Sequence, residues 1–516
     1  MVLQLLFFSL SLILTLLFFL YGFNHYFLLN AARNYRTPSP PGLPILRPTV
    51  SIQLPVYNEK YVVRKLVSAC ADMVAAYGIE KASILILDDS DDDTCFEVDQ
   101  VVGECKEKGF QIEVLRRGCR DGFKAGALQA ALERTKEEFI AIFDADFVPR
   151  ADFLLRTIPY FDQDGSLGII QGRWTHLNQD FSLVTQAIAH AIDVHFLIEQ
   201  PGRYVAGIFQ NFNGSGGILR KKAIWEAGGW QADTLAEDLD LSYQMQLLGY
   251  RILYLREVLC PGEIPPTIPN IKQQQSRWAC GAMRVARKIL PGLVQNRKIG
   301  LKLRLQAFIH LTGYMIQPLM VITFVLCCLA ALWQVNIFST PQVSTLIQAY
   351  GSIFATRAAT ITFVQNLVWL FLTLLIALCT LAPWISLVST LKIQNLPLLQ
   401  NLASLLVLLL LCFGISLSTM QGVVKGLFTN RSWEWTRTPK FADPHNHEAW
   451  RDSKYQIPLD PAWRMELAFL VIGLWAIVTA IQHLNFTVIV ILAPFTLSYG
   501  FVFLSSILQS RKRQAI

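Results

Sequence analysis

The sequence predicts an α/β domain with a mostly parallel sheet, inserted in an α-helical transmembrane domain. Apolar residues make up 53% of the 516 residues and charged residues 16%, whereas soluble domains carry about 25% charged residues. Long apolar runs lie within residues 1–30 and 306–508, and the residues between them have a mixed composition. This uneven distribution predicts one soluble α/β domain flanked by segments that cross a membrane.

The N-terminal apolar run Val2–Leu29 is long enough to cross a hydrocarbon core of about 30 Å, so residues 1–30 are expected to form a transmembrane helix. No basic start precedes the run and no small-residue cleavage site follows it, which favours an uncleaved anchor over a signal peptide. Residues 31–49 contain the stretch TPSPPGLPILRP and are predicted to be a linker, because proline interrupts helices.

Residues 50–300 alternate between strand and helix patterns. SILILDDS and FIAIFDADF have the pattern of buried strands, whereas KLVSACADMVAAYG has the pattern of an amphipathic helix. Such an alternation predicts βα units and a doubly wound sheet, whose ligand site lies beyond the carboxyl ends of the strands. Acidic clusters follow two of the predicted strands, so we expect a binding crevice at that edge of the sheet.

Residues 301–508 contain the remaining apolar stretches and are predicted to form transmembrane or interfacial helices. The stretches lie near residues 308–335, 363–387, 397–419, 466–484 and 486–508. Between the third and the fourth, Asn430–Tyr455 is polar, basic and aromatic, which predicts a cytosolic location. Three full crossings after a cytosolic domain would place this segment on the opposite side. One of the first three stretches is therefore expected to be interfacial, re-entrant or split.

The formal net charge of +7 is carried by basic residues that include several near the ends of the apolar segments. Arg33 and Arg36 follow the first span, and Arg511–Arg513 lie in the tail 509–516, which is expected to be cytosolic. The positive-inside rule accounts for this pattern. We expect no nucleic-acid partner, because no basic stripe interleaved with aromatic residues is present. The ten cysteines show no metal-ligand spacing, which predicts buried thiols in a reducing compartment.

Two carboxylates, Asp144 and Asp146, follow the strand pattern FIAIF. If the segment is extended, residues two apart project to one side, so both carboxylates can face one ligand. Mg²⁺ and Mn²⁺ take oxygen ligands and can bridge carboxylates to a diphosphate. The pair therefore predicts a divalent metal site, with an ordinary solvated loop as the alternative.

The acidic cluster LDDSDDD follows another predicted strand. Asp88 and Asp89 lie nearest the strand end and are the predicted nucleotide contacts, while Asp91–Asp93 are expected to cap the next helix or to stay solvated. Acids this close repel one another unless a cation or hydrogen-bond donors neutralise them. In RRGCRDGFKAGAL, glycines and a helix start surround Lys124, which is the predicted phosphate contact; an ordinary solvated lysine is the alternative.

Two further motifs point to the side of the site that would hold the acceptor, the second substrate of a transfer reaction. The glycine-rich segment Asn211–Trp230 is predicted to form its floor, because small residues admit a ligand; a flexible loop is the alternative. Glu237 and Asp238 precede the predicted helix Leu239–Leu248, where acids also stabilise the helix dipole. A transfer reaction needs a general base for the acceptor hydroxyl, and Asp238 is the predicted base because the other acids are assigned to metal and nucleotide.

In the motif QQSRW, three side chains are spaced i, i+3 and i+4. Gln274, Arg277 and Trp278 therefore share one face of a predicted helix. An amide, a guanidinium and an indole together suit hydroxyl groups, phosphate and ring stacking. Core packing would explain the tryptophan alone, but it does not explain the three side chains together.

At these residues the sequence closely resembles family 2 glycosyltransferases, especially the cellulose-synthase-like A and C branches and their bacterial relatives. The likeness covers about residues 48–295, and QGRWTHLN, FNGSGGILR and EDLDLSY resemble this branch in particular. RTPKF (Arg437–Phe441) resembles the family's cytosolic gating segment, expected at about residues 428–460. The resemblance implies a nucleotide-sugar-binding domain of GT-A type and a multi-pass protein of the plasma or Golgi membrane, with the catalytic domain facing the cytosol.

The resemblance also implies an activity. It is the inverting, metal-dependent and processive synthesis of a β-1,4-linked mannan, glucomannan or glucan from GDP-mannose or UDP-glucose, with the growing glycan chain translocated across the lipid bilayer. Asp88 and Asp89 would hold the nucleotide, and Asp144 and Asp146 the diphosphate and the Mg²⁺ or Mn²⁺ ion. Asp238 would be the catalytic base. Glu237, Gln274, Arg277 and Trp278 would bind the acceptor and the diphosphate.

The sequence departs from the family pattern at two positions. Ala236 stands where the family usually has threonine, which leaves the acids that follow intact, and Trp435 replaces the phenylalanine that usually leads the gating segment. Two other functions stay open. One is non-processive transfer of a sugar to a membrane lipid, as in ceramide glucosyltransferase-like proteins, and the other is an inactive sugar-binding scaffold.

Overall fold

The computed structural model describes residues 2–39, 41–42, 47–335, 355–429 and 460–510. The chain forms two compact units. The sheet unit comprises residues 28–312 and 424–458, and the helical unit comprises residues 1–27, 313–423 and 459–516. The predicted gating residues Trp435–Phe441 and the tail residues Arg511–Arg513 lie outside the described residues, so the predictions about them stay predictions.

The sheet unit is built on seven strands in the order β3-β2-β1-β4-β6-β5-β7. The strands are β1 Val50–Val56, β2 Ala82–Asp88, β3 Ile112–Leu115, β4 Phe139–Ile142, β5 Leu167–His176, β6 Gly217–Arg220 and β7 Arg251–Gly262. Strands β1 to β4 pair in parallel, as do β5 and β7, whereas β6 is antiparallel to both of its neighbours. The predicted α/β class with a mostly parallel sheet is confirmed, with β6 as the exception.

Helices follow most strands of this unit. The last residues of α1 Val2–Ala32, which precedes the first strand, also belong to this unit. The other helices of the unit are α2 Val63–Tyr77, α3 Thr94–Glu107, α4 Phe123–Arg134, α5 Phe153–Thr157, α6 Pro159–Gln163, α7 Leu183–Val194, α8 Gln200–Ala206, α9 Lys221–Glu226, α10 Glu237–Leu247, α11 Ile268–Gln295 and α12 Leu301–Leu311. A 3₁₀ turn covers Gln179–Phe181, and a π-helical turn, His195–Glu199, joins α7 to α8.

Strand β4 shows how the sequence builds two layers of helices. Its four residues are all buried, as expected for a strand covered on both faces. Phe139 and Ala141 pack into the core that contains α2 and α3, whereas Ile140 and Ile142 pack into the core that contains α4. Successive side chains of a strand point to opposite faces, so one short apolar run serves both cores.

The antiparallel strand β6 brings a loop to the ligand-binding edge of the sheet. Gly217, the first residue of β6, pairs with Ile142, the last residue of β4. The Gly216 N–H donates to the Ile142 carbonyl at 2.9 Å. Because β6 runs in the opposite direction, the residues before its start lie beside the carboxyl end of β4, where the acids Asp144 and Asp146 follow.

Two local predictions need correction. Asp144 and Asp146 lie in a tight turn and not on an extended segment, because strand β4 ends at Ile142 and the Phe147 N–H bonds to the Asp144 carbonyl at 3.0 Å. Helix α10 begins at Glu237, so Glu237 and Asp238 form its first turn and do not precede it. The site must therefore be built from a turn and a helix start.

The helical unit contains α13 Ile316–Leu332, α14 Ala355–Ile393, α15 Leu398–Gly414, most of α16 Ser416–Phe428, α17 Trp463–Gln482 and α18 Phe486–Ser510. Five helical segments in the described part of the chain are long and apolar enough to cross a membrane: Ser9–Ala32, Gly313–Leu332, Leu374–Ile393, Trp463–Gln482 and Phe486–Ser510. Helices α15 and α16 meet at a bend of 44° within the third predicted apolar stretch. These helices are those expected of a multi-pass membrane protein.

Gly202 provides a test of packing in the sheet unit. A Cβ atom at this position would lie 2.5 Å from the backbone oxygen of Leu28 in α1. Relieving this clash would require one of the two backbone segments to move, which costs free energy. We expect Gly202→Ala to destabilise the protein by about 1–3 kcal/mol, as overpacking does. The measurement is the midpoint of thermal unfolding in detergent.

The matched control is Gly103→Ala, in the middle of α3. This glycine is exposed, and a Cβ atom there would meet nothing within 4 Å. Alanine is preferred over glycine inside helices by about 0.5–1 kcal/mol, so this variant should be as stable as the parent or more stable. Equal midpoints for the two variants would contradict the close approach of α8 to α1.

Candidate active site

Lys124 connects three elements of the site. Its Nζ lies 2.6 Å from Oδ1 of Asp144 after β4, and it donates to the backbone oxygen of Gly214 at 3.0 Å. The same Nζ lies 3.7 Å from Oε1 of Glu237 at the start of α10. The structure thus brings together three of the predicted site residues, Lys124, Asp144 and Glu237, around one ammonium group.

The backbone before Lys124 explains how its side chain reaches the site. Gly122 has a φ of 70°, in the left-handed region that favours glycine, so the chain turns sharply into α4. Arg117 holds this turn, because its guanidinium donates to the backbone oxygens of Asp121 at 2.8 Å and Phe123 at 3.1 Å. Lys124 therefore starts from a fixed position in the first turn of α4.

The turn that carries Asp144 and Asp146 is tied to neighbouring loops. The Asp144 N–H donates to Oγ of Ser215 at 3.0 Å, and the Glu263 N–H donates to the Asp146 backbone oxygen at 3.1 Å. The first contact joins the turn to the loop before β6, and the second joins it to the end of β7. The position of the two acids is therefore fixed from both sides.

The carboxylates of Asp144 and Asp146 fit the requirements of Mg²⁺ or Mn²⁺ without a third protein ligand. In the described part of the chain, no group of three or more His, Cys, Asp or Glu side chains could hold a metal ion. Mg²⁺ is commonly bound through one or two carboxylates, with waters and substrate phosphates completing its octahedron. The donor set therefore suits an ion that binds together with a diphosphate, and the metal site stays a prediction.

Asp238 lies in the first turn of α10, against the loop before β6. The Leu239 N–H donates to its Oδ1 at 2.8 Å, and Ser242 Oγ donates to its backbone oxygen at 2.6 Å. A Cβ atom on Gly214 would lie 3.0 Å from Asp238 Oδ2 and 3.2 Å from Lys124 Nζ. Gly214 has a φ of 77°, so both its conformation and its missing side chain bring the carboxylate and the ammonium close together.

The charges of the site are coupled. Burial raises the pKa of Asp238 to about 7, and the adjacent Glu237 adds to this rise while Lys124 opposes it. Burial also raises the pKa of Asp144, again against the attraction of Lys124. For Lys124 itself, burial disfavours the charge, but Asp144 and Glu237 outweigh it and raise the pKa above its usual value. The Lys124 ammonium therefore opposes the rise in the pKa of both Asp144 and Asp238.

The loop before β6 is held by polar side chains for which the sequence predicted no role. Gln171 Nε2 and Trp174 Nε1, both on β5, donate to the Ser215 backbone oxygen at 3.1 and 2.9 Å. From α10, Ser242 Oγ accepts from the Phe212 N–H at 2.8 Å. The signal in the sequence was a glutamine inside the otherwise apolar run LGIIQG, where a buried amide needs hydrogen-bond partners.

The predicted trio Gln274, Arg277 and Trp278 lies on α11, with each residue half-buried. Their spacing places them on one face of this helix, as predicted. Burial lowers the pKa of Arg277, while the attraction of Glu237, Asp144 and Asp146 opposes this change. The guanidinium is thus in electrostatic reach of the acids around Lys124.

Asp88 and Asp89 are engaged by arginines of the β3–α4 loop. Arg116 Nε donates to Asp88 Oδ2 at 2.9 Å, and the Asp88 side chain is fully buried. Arg117 forms two hydrogen bonds to the Asp89 carboxylate, one of them from Nε at 2.9 Å. The acidic cluster is therefore neutralised by cations of the protein itself. No direct contact joins this pair to Lys124, and its predicted nucleotide role stays a prediction.

The remaining acids of the cluster also have partners. Asp91 accepts from Asn58 Nδ2 at 2.7 Å, Asp93 lies 3.2 Å from Lys60 Nζ, and Asp92 accepts from the Thr94 N–H at 2.8 Å. Asp92 thus bonds to the N–H of the first residue of α3, whereas the N-cap residue, Asp93, makes no side-chain capping bond.

Comparison with known proteins identifies the family. The model of glycosyl transferase family group 2 matches residues 139–417, more than half of the chain, and the model of glycosyl transferase family 2 matches residues 51–226. The chain therefore belongs to glycosyl transferase family group 2, and the resemblance found in its motifs is confirmed.

The curated relatives that the chain matches include glucomannan 4-beta-mannosyltransferases of two plants. The chain is 34% identical to the probable glucomannan 4-beta-mannosyltransferase 4 of Oryza sativa subsp. japonica over 61% of this chain and 57% of the relative. It is 37% identical to glucomannan 4-beta-mannosyltransferase 2 of Arabidopsis thaliana over 49% of this chain and 48% of the relative. The chain thus spans about half the length of the curated relatives it matches. A solved mannosyltransferase from Pyrobaculum calidifontis, in complex with GDP-Man and Mn²⁺, aligns with 74% of this chain and 99% of its own, with a TM-score of 0.48 and 18% identity.

The pKa of Asp238 predicts how activity depends on pH. If Asp238 is the base, as predicted, its carboxyl group accepts a proton only when it is ionised, so kcat/KM for glycosyl transfer should rise with pH and level off above about 7. Below that value we expect a fall of about tenfold per pH unit. A pH–rate profile of the purified protein checks this.

Glu237→Gln provides the control for this profile. Because Glu237 raises the pKa of Asp238, its neutralisation should move the midpoint of the profile to lower pH. A midpoint that rises in this variant, or a profile that is flat between pH 5.5 and 8, would show that another group takes the proton.

Proposed function

We propose that the protein is an inverting glycosyltransferase that adds hexosyl units from a nucleotide sugar to a β-1,4-linked polysaccharide. The observation that carries this proposal is the position of Asp238. Its carboxyl group has a pKa of about 7 and lies against the backbone of Gly214, beside the Lys124–Asp144 pair. A base poised near neutral pH, next to a cation and the turn that carries Asp144 and Asp146, suits acceptor activation in glycosyl transfer.

In this mechanism Asp238 accepts the proton of the acceptor hydroxyl. The acceptor oxygen forms a bond to the anomeric carbon on the face opposite the diphosphate, and the bond between that carbon and the phosphate oxygen breaks. The nucleoside diphosphate leaves with the bonding electrons, and the configuration at the anomeric carbon is inverted. A positioned general base of this kind contributes about 10²–10⁴-fold to the rate.

The leaving diphosphate needs positive charge, and the chain supplies two cationic side chains near the acids. Lys124 lies 2.6 Å from Asp144, and Arg277 is electrostatically coupled to the same acids. Asp144 and Asp146 are the residues that would hold a Mg²⁺ or Mn²⁺ ion. Such an ion neutralises the charge that develops on the leaving diphosphate.

The names of the relatives favour a mannosyl donor. Several curated relatives are named glucomannan 4-beta-mannosyltransferases, which supports GDP-mannose over UDP-glucose as the donor. Asp88 and Asp89 remain the proposed nucleotide contacts. Each carboxylate oxygen can accept more than one hydrogen bond, so contact of Asp89 with a base or ribose is compatible with its pairing to Arg117, whereas the fully buried Asp88 can make such a contact only if its surroundings move.

Processive synthesis and export form the wider proposal. Gln274 and Trp278 on α11 would bind the end of the growing glycan, with the indole stacked on a sugar ring. The apolar helices would anchor the protein in a plasma or Golgi membrane and conduct the chain across the bilayer. The catalytic domain would face the cytosol, as the distribution of basic residues predicts.

Product analysis tests the proposed function. Purified protein in nanodiscs is incubated with radiolabelled GDP-mannose or UDP-glucose, and the product is digested with endo-β-1,4-mannanase and endo-β-1,4-glucanase. We expect a water-soluble or insoluble polymer that the mannanase cuts. Label that partitions into the organic phase would instead indicate transfer to a lipid.

Asp238→Asn serves as the inactive reference in this assay. Loss of the base should cost 10²–10⁴-fold in rate, or about 3–5 kcal/mol of transition-state stabilisation, with little change in donor affinity. Glu237→Gln is the matched control: if Glu237 mainly serves the start of α10, its loss should cost about 1 kcal/mol or less. Near-normal turnover of Asp238→Asn together with an inactive Glu237→Gln would show that Asp238 is not the base and that the base was assigned to the wrong carboxylate.

Removal of divalent cations tests the metal site. We expect excess EDTA to abolish transfer and Mn²⁺ or Mg²⁺ to restore it, because the carboxylates of Asp144 and Asp146 repel a diphosphate unless a divalent cation lies between them. Asp146→Asn should weaken cation-dependent binding of the nucleoside diphosphate, which isothermal titration calorimetry measures directly. Undiminished turnover in EDTA would rule out the metal assignment.

A further inference from the structure

Helix α10 contains a second buried carboxylate, Asp240, two residues after the candidate base. Asp240 is 1% exposed, and its Oδ2 lies 2.6 Å from Nζ of Lys288 on α11. The same Nζ lies 2.9 Å from the carboxylate of Asp233, whose side chain is exposed. Removal of one partner from a buried ion pair is strongly destabilising, because the other charge stays buried. Lys288 therefore compensates the charge that α10 buries at Asp240.

The geometry of α10 relates this ion pair to the candidate base. Successive residues of an α-helix are about 100° apart, so Asp238 and Ser242 lie on one side of α10 and Asp240 lies on the opposite side. On the first side, Ser242 Oγ accepts from the Phe212 N–H of the loop before β6 at 2.8 Å. On the opposite side, Asp240 meets Lys288. Helix α10 is therefore held from two sides, which restricts its rotation about its own axis.

The face of α11 that carries Lys288 also contacts the residues just before α10. A Cβ atom on Gly281 would lie 2.9 Å from Cβ of Ala236 and 3.0 Å from the backbone carbon of Leu235, so the missing side chain lets α11 approach this segment. Arg277, Gly281 and Lys288 are spaced by four and seven residues, which places them on one helical face. One face of α11 thus contacts both the approach to α10 and its buried carboxylate.

We propose that Lys288 is a positioning residue, whose bond to Asp240 sets the rotation of α10 and thereby aims the Asp238 carboxylate at the acceptor hydroxyl. This inference rests on the proposed function, in which Asp238 takes the proton. An apolar side chain at position 240 would hold α10 by shape alone, whereas the ion pair also fixes the direction in which residue 240 points. Lys288 thus acts on the reaction through Asp240 and Asp238, without contact with the substrate.

The test measures transfer by the full-length protein in nanodiscs, with radiolabelled GDP-mannose or UDP-glucose, whichever the wild-type protein uses. Rates are expressed per nucleoside-diphosphate-binding site, counted by calorimetry, so that unfolded protein does not contribute. We expect Lys288→Met and Asp240→Ala to lower kcat per site about tenfold or more, because a displacement of about 1 Å can cost 10²-fold in rate. The KM for the nucleotide sugar should change by about twofold or less.

Three further variants distinguish positioning from general damage. Lys288→Arg keeps a cation that can bond to Asp240, and its kcat per site should stay within about threefold of the wild-type value. The double variant Lys288→Met/Asp240→Ala should lose no more than the worse of the single variants, because both changes remove the same pair. Asp233→Asn removes the exposed partner of Lys288, and it should leave kcat per site within about twofold, since exposed ion pairs contribute little.

The inference alone would be overturned if kcat per site were normal in Lys288→Met and Asp240→Ala while Asp238→Asn was inactive. A loss confined to thermal stability and to the number of binding sites would assign the pair a purely structural role and overturn it as well. So would a loss in Asp233→Asn as large as that in Asp240→Ala. Full turnover of Asp238→Asn would instead overturn the base assignment in the proposed function, and this inference with it.

Discussion

The site depends on one partly buried cation, Lys124, among several carboxyl groups. Lys124 pairs with Asp144 at 2.6 Å, lies 3.7 Å from Glu237 and bonds to the Gly214 carbonyl. Without this ammonium, Asp144, Glu237 and Asp238 would repel one another in a poorly solvated space, which is costly for ionised groups. The contacts of Lys124 also hold the turn after β4, the first turn of α10 and the loop before β6 close to one another. The geometry of the candidate site and its charge balance therefore depend on the same side chain.

The sheet topology makes this convergence possible. Parallel strands end at one edge, which places Asp144 there, but they cannot bring the start of another strand to the same edge. The antiparallel strand β6 does so, because its first residue, Gly217, pairs with Ile142 at the end of β4. Gly214 and Ser215 then lie within hydrogen-bonding distance of the acid-bearing turn. A single reversed strand thus supplies the loop that contacts Lys124 and the acid-bearing turn.

Local patterns in the sequence were sufficient for the fold class and for the composition of the site. The apolar run FIAI predicted a buried strand, and the acids that follow it marked the ligand-binding edge. What the sequence could not show was pairing between distant segments. The Asp88–Arg116 and Asp89–Arg117 contacts and the Asn213–His195 contact join different loops, so each depends on the tertiary fold. The turn at Asp144 was missed for the same reason, because a contact with Ser215 shapes it.

The loop before β6 is anchored at its edges by groups that belong to the scaffold. Gln171 and Trp174 hold Ser215 from β5, and Ser242 holds Phe212 from α10. Between these anchors, residue 213 presents its side chain without contributing to the sheet ladder. Substitutions there can therefore accumulate without disturbing the assembly of the sheet, so this side chain can vary independently of the scaffold that holds the loop.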